Sequence, residues 1–414
     1  MPNSFTRSML KATGLTRMGR LIDATRLIQR ALRGAVLPTA KPDAERRAGT
    51  ERPATPVIPI FPPATDVLPP IDVSATDVPA TDVPPTDVAA SDVPPTSRAP
   101  LPAANDDDLR ARPQAPHPDF SEQSFAFEGQ NYPFRLFVPK LAAGSGQAAA
   151  SARMPLVVLL HGCKQNALDF SKGTAMNALA ANEQCLVLYP EQITSANLQM
   201  CWNWFEPGHQ KADTGEPGMI AALTRQVLAT DFNGRRGDPQ RVYIAGLSAG
   251  GAMAAVVAGQ HPELYTALGV HSGLPAGAAS NVMSAFQAMR VGGRGQQVPA
   301  MPTIVFHGDG DTTVHPNNGE TIALDAMAAQ AKSASPLVKT QSTAYPEGDK
   351  ADRNDKPTEL TRYANDSGKS FVEYWSINNG PHAWSGGSKQ GSYTDPDGPS
   401  ASKAMLAFFL QHRK

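Results

Sequence analysis

Short apolar runs separated by helical stretches of small residues dominate the chain from about Asp119 to Lys414. Seven of these runs have strand length: Phe134 to Val138, Leu156 to Leu160, Leu186 to Tyr189, Val242 to Ala245, Leu268 to Val270, Thr303 to Phe306 and Phe371 to Trp375. Helical patterns fall between most of them. The alternation predicts an α/β domain over residues 119–414, a mainly parallel sheet with helices on both faces. Even Leu156 to Leu160, the best apolar run, is strand-sized and far too short to span a bilayer.

The patterning before residue 119 is of another kind. Met18, Leu21, Ile22, Ile28 and Leu32 recur at helical spacing among Arg7, Lys11, Arg17, Arg20, Arg26, Arg30 and Arg33, with Asp23 the single acid. Residues 1–36 are therefore predicted to form a basic amphipathic helix. Three readings of it stand open: attachment to a membrane or to a negatively charged apolar granule, packing on the body or a second subunit, and an organelle transit peptide. It lacks the continuous apolar stretch and small-residue cleavage site of a secretory signal, so none is assigned, and a cytoplasmic or granule-associated location stays open. From 37 to 118 the sequence turns to Pro, Ala, Thr, Asp and Val, with near-repeats at Ala75 to Val78, Ala80 to Val83, Pro85 to Val88 and Ala90 to Val93. Proline removes backbone donors and the spaced aspartates repel one another, which predicts a disordered, stretched spacer.

Composition narrows the function classes. A formal net charge of -1 lacks the basic excess of a nucleic-acid binder. The three cysteines, Cys163, Cys185 and Cys201, cannot all pair within one chain, and their spacing fits neither a zinc ribbon nor a disulfide-dense scaffold. No metal-ligand cluster or phosphate-cradling loop is read, so no metal or cofactor is inferred.

The sharpest chemical signal is Gly246-Leu247-Ser248-Ala249-Gly250, between the strand Val242 to Ala245 and an alanine-rich helix running to about Gln260. A nucleophilic serine held on a tight strand-to-helix turn needs glycine on either side, and the helix N-terminus favours negative charge developing there. Its hydroxyl needs a base, and nine histidines compete. In an α/β-hydrolase the order Ser, Asp or Glu, His excludes His117, His161 and His209. His382 follows the strand Phe371 to Trp375, where the base should be delivered. His261 and His271 lie too close to the serine in sequence, and His412 is read as part of a polar tail. Between the two carboxylates of His307-Gly-Asp-Gly-Asp311, Asp311 is favoured as the group orienting His382, and Asp309 is read as a turn residue that caps local amides. The backbone amides of Cys163 and Ala249 are the expected oxyanion donors.

These segments resemble the poly(3-hydroxybutyrate) depolymerase esterase family, whose relatives include feruloyl and acetylxylan esterases. The resemblance covers nearly all of Asp119 to Lys414. It rests on His161 to Asn166, Cys201-Trp-Asn-Trp-Phe205, Gly215-Glu-Pro217, Arg241 to Met253, His307 to Asp311 and His382 to Gly387. It implies the α/β-hydrolase fold, the same Ser248, Asp311 and His382, and hydrolysis of a carboxylic ester. Poly(3-hydroxybutyrate) or its oligomers are the leading substrates, with feruloyl or acetylated xylan esters, or acyl transfer to an alcohol, as alternatives. It further implies a disulfide at Cys163, with Cys201 favoured as partner in an oxidising compartment, the extracellular setting of most members. Trp202, Trp204 and Trp384, beside motif residues, are expected to floor a groove for the polymer, with core packing the alternative. Secreted members commonly add a signal peptide and a C-terminal polymer-binding domain. Here the chain ends soon after His382, and the N-terminal helix on its tether is expected to dock the enzyme instead.

Overall fold

All seven apolar runs fall in strands of one ten-stranded sheet in the computed structural model. The structure describes residues 120–141, 153–296, 298–333, 337–344 and 357–414. The helix expected over residues 1–36 and the spacer expected over 37–118 lie outside the described residues. β1 (Glu122–Phe127) and β2 (Gln130–Phe137) form a hairpin, and β3 (Met154–Leu160) leads through α1 (Ala167–Thr174) and α2 (Met176–Asn182) to β4 (Leu186–Pro190). Then come α3 (Gly215–Ala229), β5 (Gly237–Leu247), α4 (Ala249–Gln260), β6 (Ala267–His271), α5 (Val282–Val291), β7 (Thr303–Gly308) and α6 (Asn317–Ser333). The chain continues through β8 (Val338–Ala344), β9 (Thr358–Ala364), β10 (Ser370–Ile377), the short pair β11 (Trp384–Ser385) and β12 (Thr394–Asp395), and α7 (Ala401–Leu410).

The strand order is β1-β2-β4-β3-β5-β6-β7-β10-β9-β8. Every pairing from β4 to β10 is parallel, and the antiparallel pairings lie toward the two edges. Every residue of β3, β4, β6 and β7 is buried, because helices cover both faces and leave no polar side for the strands to alternate with. Alternate residues feed two cores. Leu156, Val158 and Leu160 join α3 and α4 residues such as Ile220 and Met253, whereas Val157 and Leu159 join Phe170, Met405 and Phe409.

Three strands of this ten-stranded sheet escape the apolar pattern: β1, β8 and β9. Each lies at or next to a sheet edge and is only partly covered, so polar residues occupy one side or both. The polar tail expected at the C-terminus is corrected. α7 packs Met405, Phe408 and Phe409 against the sheet, and His412, 2% exposed, lies against the rings of Phe408 and Phe371. Among the described residues no helix is long and apolar enough to cross a membrane.

Candidate active site

Ser248 joins β5 to α4 with φ 58° and ψ -122°, a region that side chains with a Cβ rarely enter. Its neighbours explain how the turn is made. A Cβ on Gly246 would lie 2.7 Å from the Leu160 carbonyl oxygen and overlap Gly250, and one on Gly250 would overlap the carbonyls of Leu160 and His161. Glycine at both positions therefore lets the start of α4 cross directly over the end of β3. The Ser248 amide donates to the His271 carbonyl at 2.9 Å, which ties the turn to β6.

β7 and β10 are parallel neighbours, and the loops after them deliver Asp311 and His382. A Cβ on Gly308 would overlap Gly380, so the two loops meet backbone to backbone. The His382 Nδ1 lies 2.7 Å from Asp311 Oδ2 and its Nε2 lies 2.9 Å from Ser248 Oγ. The network assigns the tautomer: Nδ1–H donates to the carboxylate and Nε2 accepts from the hydroxyl. The other Asp311 oxygen accepts from the amides of Thr313 and Val314, each at 2.8 Å. Burial works to raise the Asp311 pKa. The His307 and His382 side chains and the Val314 amide more than offset this and hold the carboxyl well below the usual range. Asp309 faces the other way and accepts from the amide of Asn379.

His271 lies at the base of this arrangement. Its ring stacks on Phe306 and Trp384, and its Nε2 accepts from the Ser385 amide at 3.0 Å, three residues past His382. Burial, with repulsion from His307 and His382, pushes its pKa down to about 3, so the ring is a neutral acceptor. Position in sequence had set this residue aside; nothing in local spacing announces the contact.

The loop after β3 runs beside the serine, since a Cβ on Gly162 would lie 3.6 Å from Ser248 Cβ. Neither the Cys163 nor the Ala249 amide is engaged in a hydrogen bond among the described residues. Cys163 is disulfide-bonded to Cys201, and Cys185 is free and buried. His161, pushed down to about 4 by burial, donates from Nδ1 to the Gly162 carbonyl at 2.8 Å and accepts at Nε2 from the Gln192 amide at 3.1 Å. The expectation that three tryptophans floor a ligand groove is corrected. Trp202, Trp204 and Trp384 are 0%, 4% and 1% exposed. Trp202 packs against His161, Trp204 against Phe205 and Trp384 against Phe170, so the three indoles fill the core instead. Beside Asp311, an open groove of about 1070 Å³ lies between α5 and the loop after β7, lined by Met283, Phe286, Met289, Val291, Thr312 and Thr313. Among the described residues no set of three His, Cys, Asp or Glu side chains is arranged to hold a metal.

A mainly parallel sheet that carries a strained serine, a histidine and an aspartate on the loops after three of its strands has the arrangement of the α/β-hydrolase fold. Residues 140–331 match the family described as Esterase PHB depolymerase. The chain is 34% identical over 187 residues to poly(3-hydroxyalkanoate) depolymerase C of Paucimonas lemoignei, covering 41% of this chain and 44% of that protein. It is 28% identical to feruloyl esterase B of Thermothelomyces thermophilus, over 40% of this chain and 62% of the other. The chain thus spans less than two thirds of either relative. In fold it is similar to the acetyl xylan esterase from Aspergillus awamori, with a TM-score of 0.50 at 18% identity, covering 70% of this chain and 99% of that one.

Proposed function

We propose that the chain is a serine esterase that hydrolyses carboxylic esters through an acyl-enzyme on Ser248. One juxtaposition supports this above all others: the Ser248 hydroxyl 2.9 Å from His382 Nε2, with the opposite ring nitrogen 2.7 Å from Asp311. A serine hydroxyl attacks a carbonyl poorly unless its proton is taken as the bond forms. His382 takes that proton at Nε2, and the Asp311 carboxylate holds the ring in register and stabilises its charged form. The tetrahedral oxyanion is received by the amides of Cys163 and Ala249, and α4 directs its N-terminus at the same place. His382 then protonates the departing alcohol, and water, deprotonated by the same nitrogen, releases the acid.

The substrate we favour is poly(3-hydroxybutyrate) or its oligomers. The family match and the depolymerase relative support it, and a groove of about 1070 Å³ that Asp311 helps to line is compatible with a substrate larger than a single small ester. A feruloyl or acetylxylan ester is the second reading, favoured by the names of the other relatives. On a short-chain p-nitrophenyl ester, Ser248→Ala is expected to lower turnover on the order of a million-fold and Asp311→Asn about ten-thousand-fold. Turnover surviving in Ser248→Ala sinks the mechanism. Catalytic efficiency on hydroxybutyrate oligomers, feruloyl esters and acetylated xylan ranks the substrates. We further propose that residues 1–36 hold the enzyme on a polyester granule or membrane. Deleting residues 1–118 is expected to abolish particle binding and spare soluble-ester turnover, and unchanged binding refutes the anchor.

A further inference from the structure

Glu216, at the first turn of α3, is 1% exposed and lies outside the machinery described so far. A buried carboxylate is costly unless donors surround it, and here they do. Its Oε1 accepts from Gln192 Nε2 and Asn203 Nδ2, each at 2.6 Å, and its Oε2 accepts from the Asn203 amide at 2.7 Å, with His209 Nδ1 3.3 Å away. Gln192 leads from this carboxylate to the loop after β3 by two routes. Gln192 Nε2 also holds the Cys201 carbonyl at 3.0 Å, and Cys201 is bonded to Cys163. The Gln192 amide donates to His161 Nε2, and the opposite nitrogen of that ring grips the Gly162 carbonyl, the peptide unit whose N–H belongs to Cys163. The Gly215-Glu-Pro217 and Cys201 to Phe205 motifs are thereby joined across one carboxylate, which the proposed reaction had left unexplained.

We propose that Glu216 is a positioning residue for the oxyanion loop: by clamping Gln192 against Asn203, it fixes the residue from which both routes to the Cys163 amide start. This rests on the serine esterase reading above. A donor preorganised for a developing oxyanion lowers the barrier without tightening substrate binding, so its misplacement appears in kcat and in the affinity for tetrahedral adducts.

The test uses the full-length oxidised chain and a short-chain chromogenic ester. Glu216→Gln keeps the shape but sets an NH2 against the donors. It is expected to lower kcat ten- to a hundred-fold, to leave KM within about twofold, and to weaken inhibition by an alkylboronic acid in proportion to kcat. Asn203→Ala, which removes one donor and keeps the carboxylate, is expected to shift kcat and boronate affinity in the same direction by a smaller factor, and it serves if Glu216→Gln does not fold. A folded Glu216→Gln with kcat and boronate affinity unchanged overturns the inference, and so does a loss confined to KM. If Ser248→Ala abolishes turnover while both variants keep it, the esterase reading stands and only the role of Glu216 falls. If the wild-type chain shows no Ser248-dependent turnover, both fall.

Discussion

His161, His271 and His412 are imidazoles held neutral by burial, with pKa values pushed down to about 4, 3 and 4. A histidine whose folded pKa lies below its unfolded value, about 6.5, binds protons more readily when the chain is unfolded. Its contribution to stability is whole above that unfolded value and is lost as pH falls from there toward the folded value. The loss is on the order of 2 kcal/mol for each such histidine between about pH 7 and pH 5. Urea unfolding at those two pH values is expected to show a marked fall, smaller in His412→Gln, and equal stabilities count against the buried neutral state. At this scale much of the candidate site was legible in the sequence. Ser248 is marked by the glycines its turn requires, and His382 by chain order and the strand before it. Of the two aspartates, Asp311 hydrogen-bonds to His382 and Asp309 to the Asn379 amide. The three tryptophans misled because a motif neighbour in sequence says nothing about which way an indole turns. His271 and Glu216 act through partners more than a hundred and up to two dozen residues away, and no local spacing records that.

Elements that are buried on two faces were legible as well, because an apolar run with no polar side has few other ways to fold. β1, β8 and β9 were not, since edge strands keep water on one side and mix their residues accordingly. The buried C-terminus was misread for another reason: α7 carries a single charge, Lys403, but the polar residues that follow it, Gln411 to Lys414, look like a solvated tail. The disulfide acts at this scale too. It joins the loop after β3 to the loop before α3 and closes 38 residues of chain. Loop-closure entropy assigns such a link about 3 to 4 kcal/mol. Thermal unfolding in the presence of a thiol reductant, or of Cys163→Ser with Cys201→Ser, is expected to shift down accordingly, and an unmoved midpoint contradicts a stabilising link.

For the whole molecule, the parallel centre of the sheet gathers the chemistry and the antiparallel margins end it. The loops after β3, β5, β7 and β10 leave the sheet at one edge, where Cys163, Ser248, Asp311 and His382 come together. Polar edge strands such as β8, whose Lys339 and Gln341 are exposed, discourage further strands from adding on. The left-handed backbone of Ser248 is fixed by that same architecture, and it bears on how warm the protein can be kept. In every folded copy Ser248 holds a conformation that the unfolded chain avoids, a cost of about 1 to 3 kcal/mol. Ser248→Gly, which tolerates those dihedrals, is therefore expected to melt about 2 °C or more above the unsubstituted protein and, on the proposed mechanism, to be inert. A lower melting point for that variant contradicts the strain. Heat resistance and turnover are thus set against each other at a single backbone position, and selection for the hardier protein alone would discard the serine first.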